Sequence, residues 1–149
     1  MDKEFVENIE IELQNLERLI EEMDQIINKV KEEPDFIFIR AAGSIIHDFY
    51  CGVEKIFERI AYNVNNIIPH GEDWHAKLLL QMAQTQSGRN AVIDSELLQK
   101  LKEYLRFRHL FRNIYGFELR WARIKPLCLQ LNDVFNELKT SIRKYLKEL

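Results

Sequence analysis

The sequence predicts an all-α protein, an antiparallel bundle of four long helices plus one short helix. Three observations carry this. Apolar residues recur at spacings of three and four along nearly the whole chain. Gly 5 and Pro 3 in 149 residues leave too little turn chemistry for many short strands joined by tight turns. A hydrophobic share of 46% beside a charged share of 30% is that of a globular chain. At 149 residues the chain fits one domain, residues 1–149, large enough to fold without disulfide or metal staples.

Each element follows from its own pattern. Phe5, Ile9, Leu13, Leu16, Ile20, Met23, Ile27 and Val30 line one face of a long first helix. It ends at Lys31-Glu32-Glu33-Pro34, because Pro34 disfavours helical geometry at Glu33. Asp35 is the expected N-cap of a second helix over about 36–68. Ile45, Phe49, Val53, Ile56, Phe57, Ile60 and Val64 give that helix a broad apolar face. Its small residues Ala41, Ala42, Gly43 and Gly52 would let a neighbouring helix come close. Pro69-His70-Gly71 breaks it.

A short third helix is expected over about 73–84, with Trp74, Leu78 and Met82 on one side. Ser87-Gly88-Arg89-Asn90 reads as a loop. Asp94 or Ser95 caps a fourth helix reaching about Tyr115, with Gly116 suited to the residue just past its end. Residues 117–125 read as a linker. Pro126 is expected to open the last helix, where its missing N–H costs little. Leu127, Leu131, Val134, Phe135, Leu138, Ile142 and Tyr145 form the stripe of that helix.

Several function classes are disfavoured. No uninterrupted apolar run approaches the roughly 18–20 residues of a membrane span, so no membrane partner is expected. The acidic opening MDKEFVENIE lacks the apolar core of a secretory signal. Cys51 and Cys128 make no C-x-x-C pair and read as reduced thiols, which points to the cytoplasm. No glycine-rich nucleotide loop and no G-x-S-x-G elbow is present, so no cofactor is expected. His47 and Cys51 stand at i, i+4, but two ligands without a third are not a metal site. His70 and His75 read as loop or capping residues, Trp74 and Trp121 as packing residues, and Glu118 as an exposed carboxylate.

The fourth helix breaks its own pattern. Leu97, Leu98, Leu101, Tyr104 and Leu105 form an apolar stripe. Continued at about 100° per residue, its centre line passes through Arg108, Arg112 and Tyr115. Phe107, Phe111 and Ile114 fall to one side, and His109 and Asn113 stack on the other. Two guanidiniums therefore stand where leucines are due. They can pair with carboxylates inside the bundle, face an open groove, or meet a second copy of the chain across a shared cleft. The last two describe an anion site.

The net charge of −3 hides a division along the chain. Residues 1–35 hold twelve acidic side chains (Asp2, Glu4, Glu7, Glu10, Glu12, Glu17, Glu21, Glu22, Asp24, Glu32, Glu33, Asp35) and four basic ones (Lys3, Arg18, Lys29, Lys31). Residues 99–125 hold eight basic side chains (Lys100, Lys102, Arg106, Arg108, Arg112, Arg120, Arg123, Lys125) against Glu103 and Glu118. The two regions either neutralise each other or leave the basic one free for an anion. Arg106, Arg108 and Arg112 are the candidate phosphate contacts.

The run Arg108-His109-Leu110-Phe111-Arg112-Asn113-Ile114-Tyr115 resembles the signature of the HEPN domains, and especially of HepT-like toxins: an arginine followed by a polar residue, a spacer, a histidine, one residue and a tyrosine. The wider stretch over 104–119 is similar to the same relatives, as are Gly43-Ser-Ile-Ile-His-Asp-Phe-Tyr50 and Gly52-Val-Glu-Lys-Ile-Phe57. The resemblance implies a homodimer whose motif helices meet in a cleft, acting as a metal-independent endoribonuclease on RNA. It also implies the toxin of a type VII toxin–antitoxin pair, silenced when a nucleotidyltransferase antitoxin adenylylates Tyr115. Arg108 would then hold the phosphate and His109 help orient it.

One departure bears on catalysis. Asn113 occupies the position of the motif histidine. Metal-free RNA cleavage needs a base for the 2′-OH proton and an acid for the leaving oxygen. An amide hydrogen-bonds but cannot titrate. His109 points about 40° away from residue 113 around the helix. Three readings follow: a dimeric RNA-directed toxin impaired by Asn113, a non-catalytic module that binds and is modified by a nucleotidyltransferase, and a plain bundle with internally paired arginines.

Overall fold

The computed structural model describes residues 2–30, 33–65, 67–86 and 89–149. Lys31, Glu32, Ser87 and Gly88, which the sequence places in breaks and loops, lie outside the described residues. Among the described residues five α-helices form in chain order: α1 Lys3–Lys29, α2 Phe36–Ile60, α3 Trp74–Met82, α4 Ser95–Asn113 and α5 Trp121–Glu148. A π-helical turn, Ala61–Asn65, continues α2, and a 3₁₀ turn, Gly116–Glu118, joins α4 to α5. No strand forms among the described residues; one isolated bridge pairs Gln86 with Arg89.

Aspartate caps start three helices. Asp2 accepts from the N–H of Glu4, Asp35 from those of Ile37 and Phe38, and Asp94 from that of Leu97. Each carboxylate satisfies donors that the first turn leaves without partners. Phe5, Ile9, Leu13, Leu16, Ile20 and Met23 of α1 are buried, as their spacing requires. The α1 helix lies antiparallel to α5, with Glu10 paired to Arg143 and Glu17 to Lys139. The acidic first helix therefore directs these ion pairs to α5 and leaves the arginines of α4 to other partners.

The central element is α2, which packs on α1, α3, α4 and α5. Its glycines are where neighbours come closest. A Cβ on Gly52 would stand 2.5 Å from Leu16 Cδ2 of α1, and one on Gly43 would stand 2.7 Å from Leu119 Cδ1. Phe36–Val64 is long and apolar enough to cross a membrane by length and composition. The absence of an uninterrupted apolar run did not anticipate this. The same residues supply much of the core: Ile46, Phe49, Val53, Ile56, Phe57 and Ile60 are fully enclosed.

Four boundary expectations are corrected. The helical geometry of α2 changes at Ala61, and α3 spans only Trp74–Met82. Gly116 takes no left-handed turn: among the described residues the positive-φ glycine is Gly71. Gly116 instead opens the 3₁₀ turn, and a Cβ there would touch the Arg40 guanidinium at 3.0 Å. Pro126 lies inside α5, which starts at Trp121. Its missing N–H would have served the carbonyl of Ala122, an exposed residue that water can reach. Buried Ile124 and half-buried Trp121 anchor the extra turn.

The α3–α4 connection is also more ordered than a loop reading implies. Val92 and Ile93 N–H groups both donate to the Met82 carbonyl, at 2.8 and 3.2 Å. Buried Arg89 donates to the carbonyls of Gln81, Gln84 and Asn90. A cation thus closes the C-terminal end of α3, where carbonyls lack helical partners.

Candidate functional site

The two motif arginines part company in space. Arg108 turns inward and is 14% exposed, whereas Arg112, one turn later, is exposed. Arg108 Nε lies 3.3 Å from Oε1 of Glu54, a carboxylate of α2 that is 5% exposed. The alignment falls outside hydrogen-bond geometry, so the contact is a charge pair. Of the routes open to a guanidinium on an apolar stripe, Arg108 takes the internal carboxylate.

Glu54 has a second partner. His75, near the start of α3, places Nδ1 2.7 Å from Glu54 Oε2. A carboxylate only accepts, so Nδ1 carries the proton. One carboxylate thus joins α2, α3 and α4 through an imidazole and a guanidinium. Tyr50, one turn before Glu54, buries its hydroxyl without a hydrogen-bond partner. Burial, and then the Glu54 charge, raise its pKa well above the usual phenol range, against the pull of Arg108. Burial and Glu54 likewise raise the carboxyl of Glu58, with His75 opposing.

The sequence reads His75 as a loop or capping residue and assigns Glu54 no role, whereas the structure joins the two. Glu54 had a legible signal: an acid inside the apolar face made by Val53, Ile56 and Phe57. His47, also on α2, lies against the Phe111 ring at 4.9 Å between centroids. Burial lowers its pKa; Asp48 opposes this, and Arg108 and Arg112 reinforce it. Its ring nitrogens sit 3.8 and 3.9 Å from Cys51 Sγ. No group of three potential metal ligands occurs among the described residues.

The other predicted residues lie on the surface. Arg106 pairs with Glu103 on the same helix face. His109 and Asn113 are exposed, and the Asn113 amide donates to the His109 carbonyl at 2.6 Å. The stripe itself rotates: Phe107 is buried and Phe111 half-buried against the core, while Leu105 is only half-buried. Because α4 ends at Asn113, Tyr115 lies beyond the helix and does not share its centre line.

Tyr115 is nonetheless held in place. Its N–H donates to Glu118 Oε1 at 3.0 Å, and the Glu118 N–H donates to the Tyr115 carbonyl at 2.9 Å. Glu118 therefore closes a turn. The phenol is 71% exposed and stacks on Phe117, rings 5.2 Å apart and inclined by 8°. An exposed phenol on a closed turn offers a reactive oxygen that a large partner can reach.

A family model described as HepT-like protein matches residues 41–149, more than half of the chain. The chain belongs to the HepT-like family. No curated protein and no solved structure gives a significant match. The match begins within α2, so α1 lies outside it, although α1 shares the core of this HepT-like protein. The fold is that of the toxin-type HEPN bundle, and the segment from α4 through the 3₁₀ turn lies within the match.

Proposed function

We propose that this HepT-like protein is the toxin of a type VII toxin–antitoxin pair: a cytoplasmic, homodimeric endoribonuclease that needs no metal and is silenced by adenylylation of Tyr115. The observation that carries the reading is Tyr115 itself, 71% exposed on a turn closed by Glu118. In the silencing step the Tyr115 oxygen attacks the α-phosphorus of ATP. A phosphodiester forms, the bond to pyrophosphate breaks, and the phenolic proton passes to a base on the nucleotidyltransferase. Mass addition of one AMP after incubation with ATP and a minimal nucleotidyltransferase of the kind that partners HepT-like toxins tests the step. It should vanish in Tyr115→Phe, and adenylylation at another residue would sink the assignment.

On the nucleic-acid side, exposed Arg112 suits a backbone phosphate, since a guanidinium offers permanent, bidentate donors. Arg106 offers a weaker contact because Glu103 already engages it. A second reading, a nucleotidyltransferase substrate without nuclease activity, is favoured by one observation. Asn113 cannot titrate, and its amide is used on the His109 carbonyl. Asn113→His should raise RNA cleavage and toxicity under the first reading. A folded, dimeric Asn113→His protein that stays harmless without its partner favours the second.

A further inference from the structure

We infer that His75 is the proton-transferring residue of RNA cleavage, doing from α3 the work that an asparagine at position 113 cannot do from α4. This rests on the endoribonuclease reading above. Three observations lead to it. First, His75 Nδ1 is fixed by the 5%-exposed Glu54, which leaves Nε2 as a lone-pair acceptor on a side chain still 20% exposed. A carboxylate behind one ring nitrogen sets the tautomer and orientation and stabilises the imidazolium that forms on the other. Second, the same carboxylate holds Arg108, so base and guanidinium keep a fixed relation with no help from residue 113. Third, the Trp74 ring, 3.7 Å from that of His75 between centroids, restrains the imidazole on its other side.

The chemistry balances without a metal or redox partner. Nε2 takes the proton of a ribose 2′-OH as the 2′-oxygen bonds to the adjacent phosphorus. The bond from phosphorus to the 5′-oxygen breaks. That oxygen takes a proton from water, and the imidazolium later releases its own to solvent. The products are a 2′,3′-cyclic phosphate end and a 5′-hydroxyl end. The charged groups that act on the imidazole are Glu54 and Glu58 of α2, and Glu54 in turn faces Arg108 of α4.

The test compares cleavage of a mixed-sequence single-stranded RNA by the full-length wild type, His75→Ala and Asn113→His across pH 5 to 9, with and without added imidazole. His75→Ala should cut about 10²–10⁴-fold more slowly, lose the fall in rate on the acidic limb that protonation of the imidazole causes, and recover part of its rate with free imidazole. Thermal unfolding and Tyr115 adenylylation report that the variant is folded. Wild-type rates in His75→Ala, or a loss that imidazole leaves unchanged, overturn the assignment while the endoribonuclease reading stands. If only Asn113→His cuts RNA, His75 is likewise not the base, and the site still is one. If none of the three proteins cuts RNA, both ideas fall.

Discussion

Removing the Glu54 carboxylate should cost this protein more than almost any other single polar change. Glu54 is 5% exposed and faces both Arg108 Nε at 3.3 Å and His75 Nδ1 at 2.7 Å. Glu54→Ala leaves a buried guanidinium nitrogen without a counter-charge and an imidazole without its acceptor. Breaking a buried ion pair from one side costs about 3–5 kcal/mol. Arg108 and His75 keep 14% and 20% exposure, so water recovers part of that and about 3 kcal/mol remains. For a chain of this size that lowers the melting temperature by about 6–12 °C.

Glu54→Gln keeps the volume and one acceptor for His75 but no charge for Arg108, and should cost about 1–2 kcal/mol. Urea unfolding of the two single variants, of Arg108→Ala and of the Glu54→Ala/Arg108→Ala double variant closes a cycle. Coupling between about 0.5 and 3 kcal/mol is expected for groups in contact. A Glu54→Ala loss below about 0.5 kcal/mol, or additivity within that margin, would refute the pairing.

Alkaline pH should unfold the protein cooperatively. Burial raises the folded pKa of Tyr50, Tyr104 and Tyr145 above the usual phenol value. Above about pH 10 the unfolded chain therefore binds fewer protons than the native one, and stability falls as pH rises. With the two exposed phenols removed as Tyr62→Phe and Tyr115→Phe, phenolate absorbance that climbs well before the loss of helical circular dichroism would contradict this. Burial pushes the Cys128 thiol up to about 12. A thiol reagent at pH 8 should therefore label half-buried Cys51 in the native protein and reach Cys128 only on unfolding, as peptide mapping would show. Gly52→Ala gains about 1 kcal/mol of helix propensity but drives a methyl toward Leu16 Cδ2, an overpacking cost of about 1–3 kcal/mol. A net loss near 1 kcal/mol is expected in urea, and a stabilised variant would show that α1 yields freely.

The helices were legible because burial writes a 3.6-residue period into the sequence, and two of their starts because the caps at Asp35 and Asp94 act within three residues. The places where local rules failed share a cause. Gly116 follows a helix, as a left-handed cap would, yet Arg40 packs against it from α2. Pro126 resembles a helix start, yet Ile124 and Trp121 find the core and pull another turn into register. Tyr115 continues the numerical register of α4, yet Glu118 captures its N–H and ends that register. In each case a specific contact outweighs a generic preference of about a kcal/mol.

The candidate site follows the same logic. Periodicity located the anomaly on α4, a guanidinium on an apolar face, but left three escapes open. A single helix cannot choose among them, because the partner lies 54 positions earlier in the chain. The α2 stripe carried the complementary anomaly: Glu54 stands among residues that are all buried. A buried acid on one helix and a buried base on another each cost several kcal/mol alone and far less together. Two opposite exceptions in one small core should therefore be read as a pair before either is read as an open anion site. Such a pairing constrains the chemistry, since a guanidinium already facing a carboxylate is held for positioning. The freer cation of the motif is then Arg112, and the His75 imidazole shares the carboxylate that holds the paired arginine.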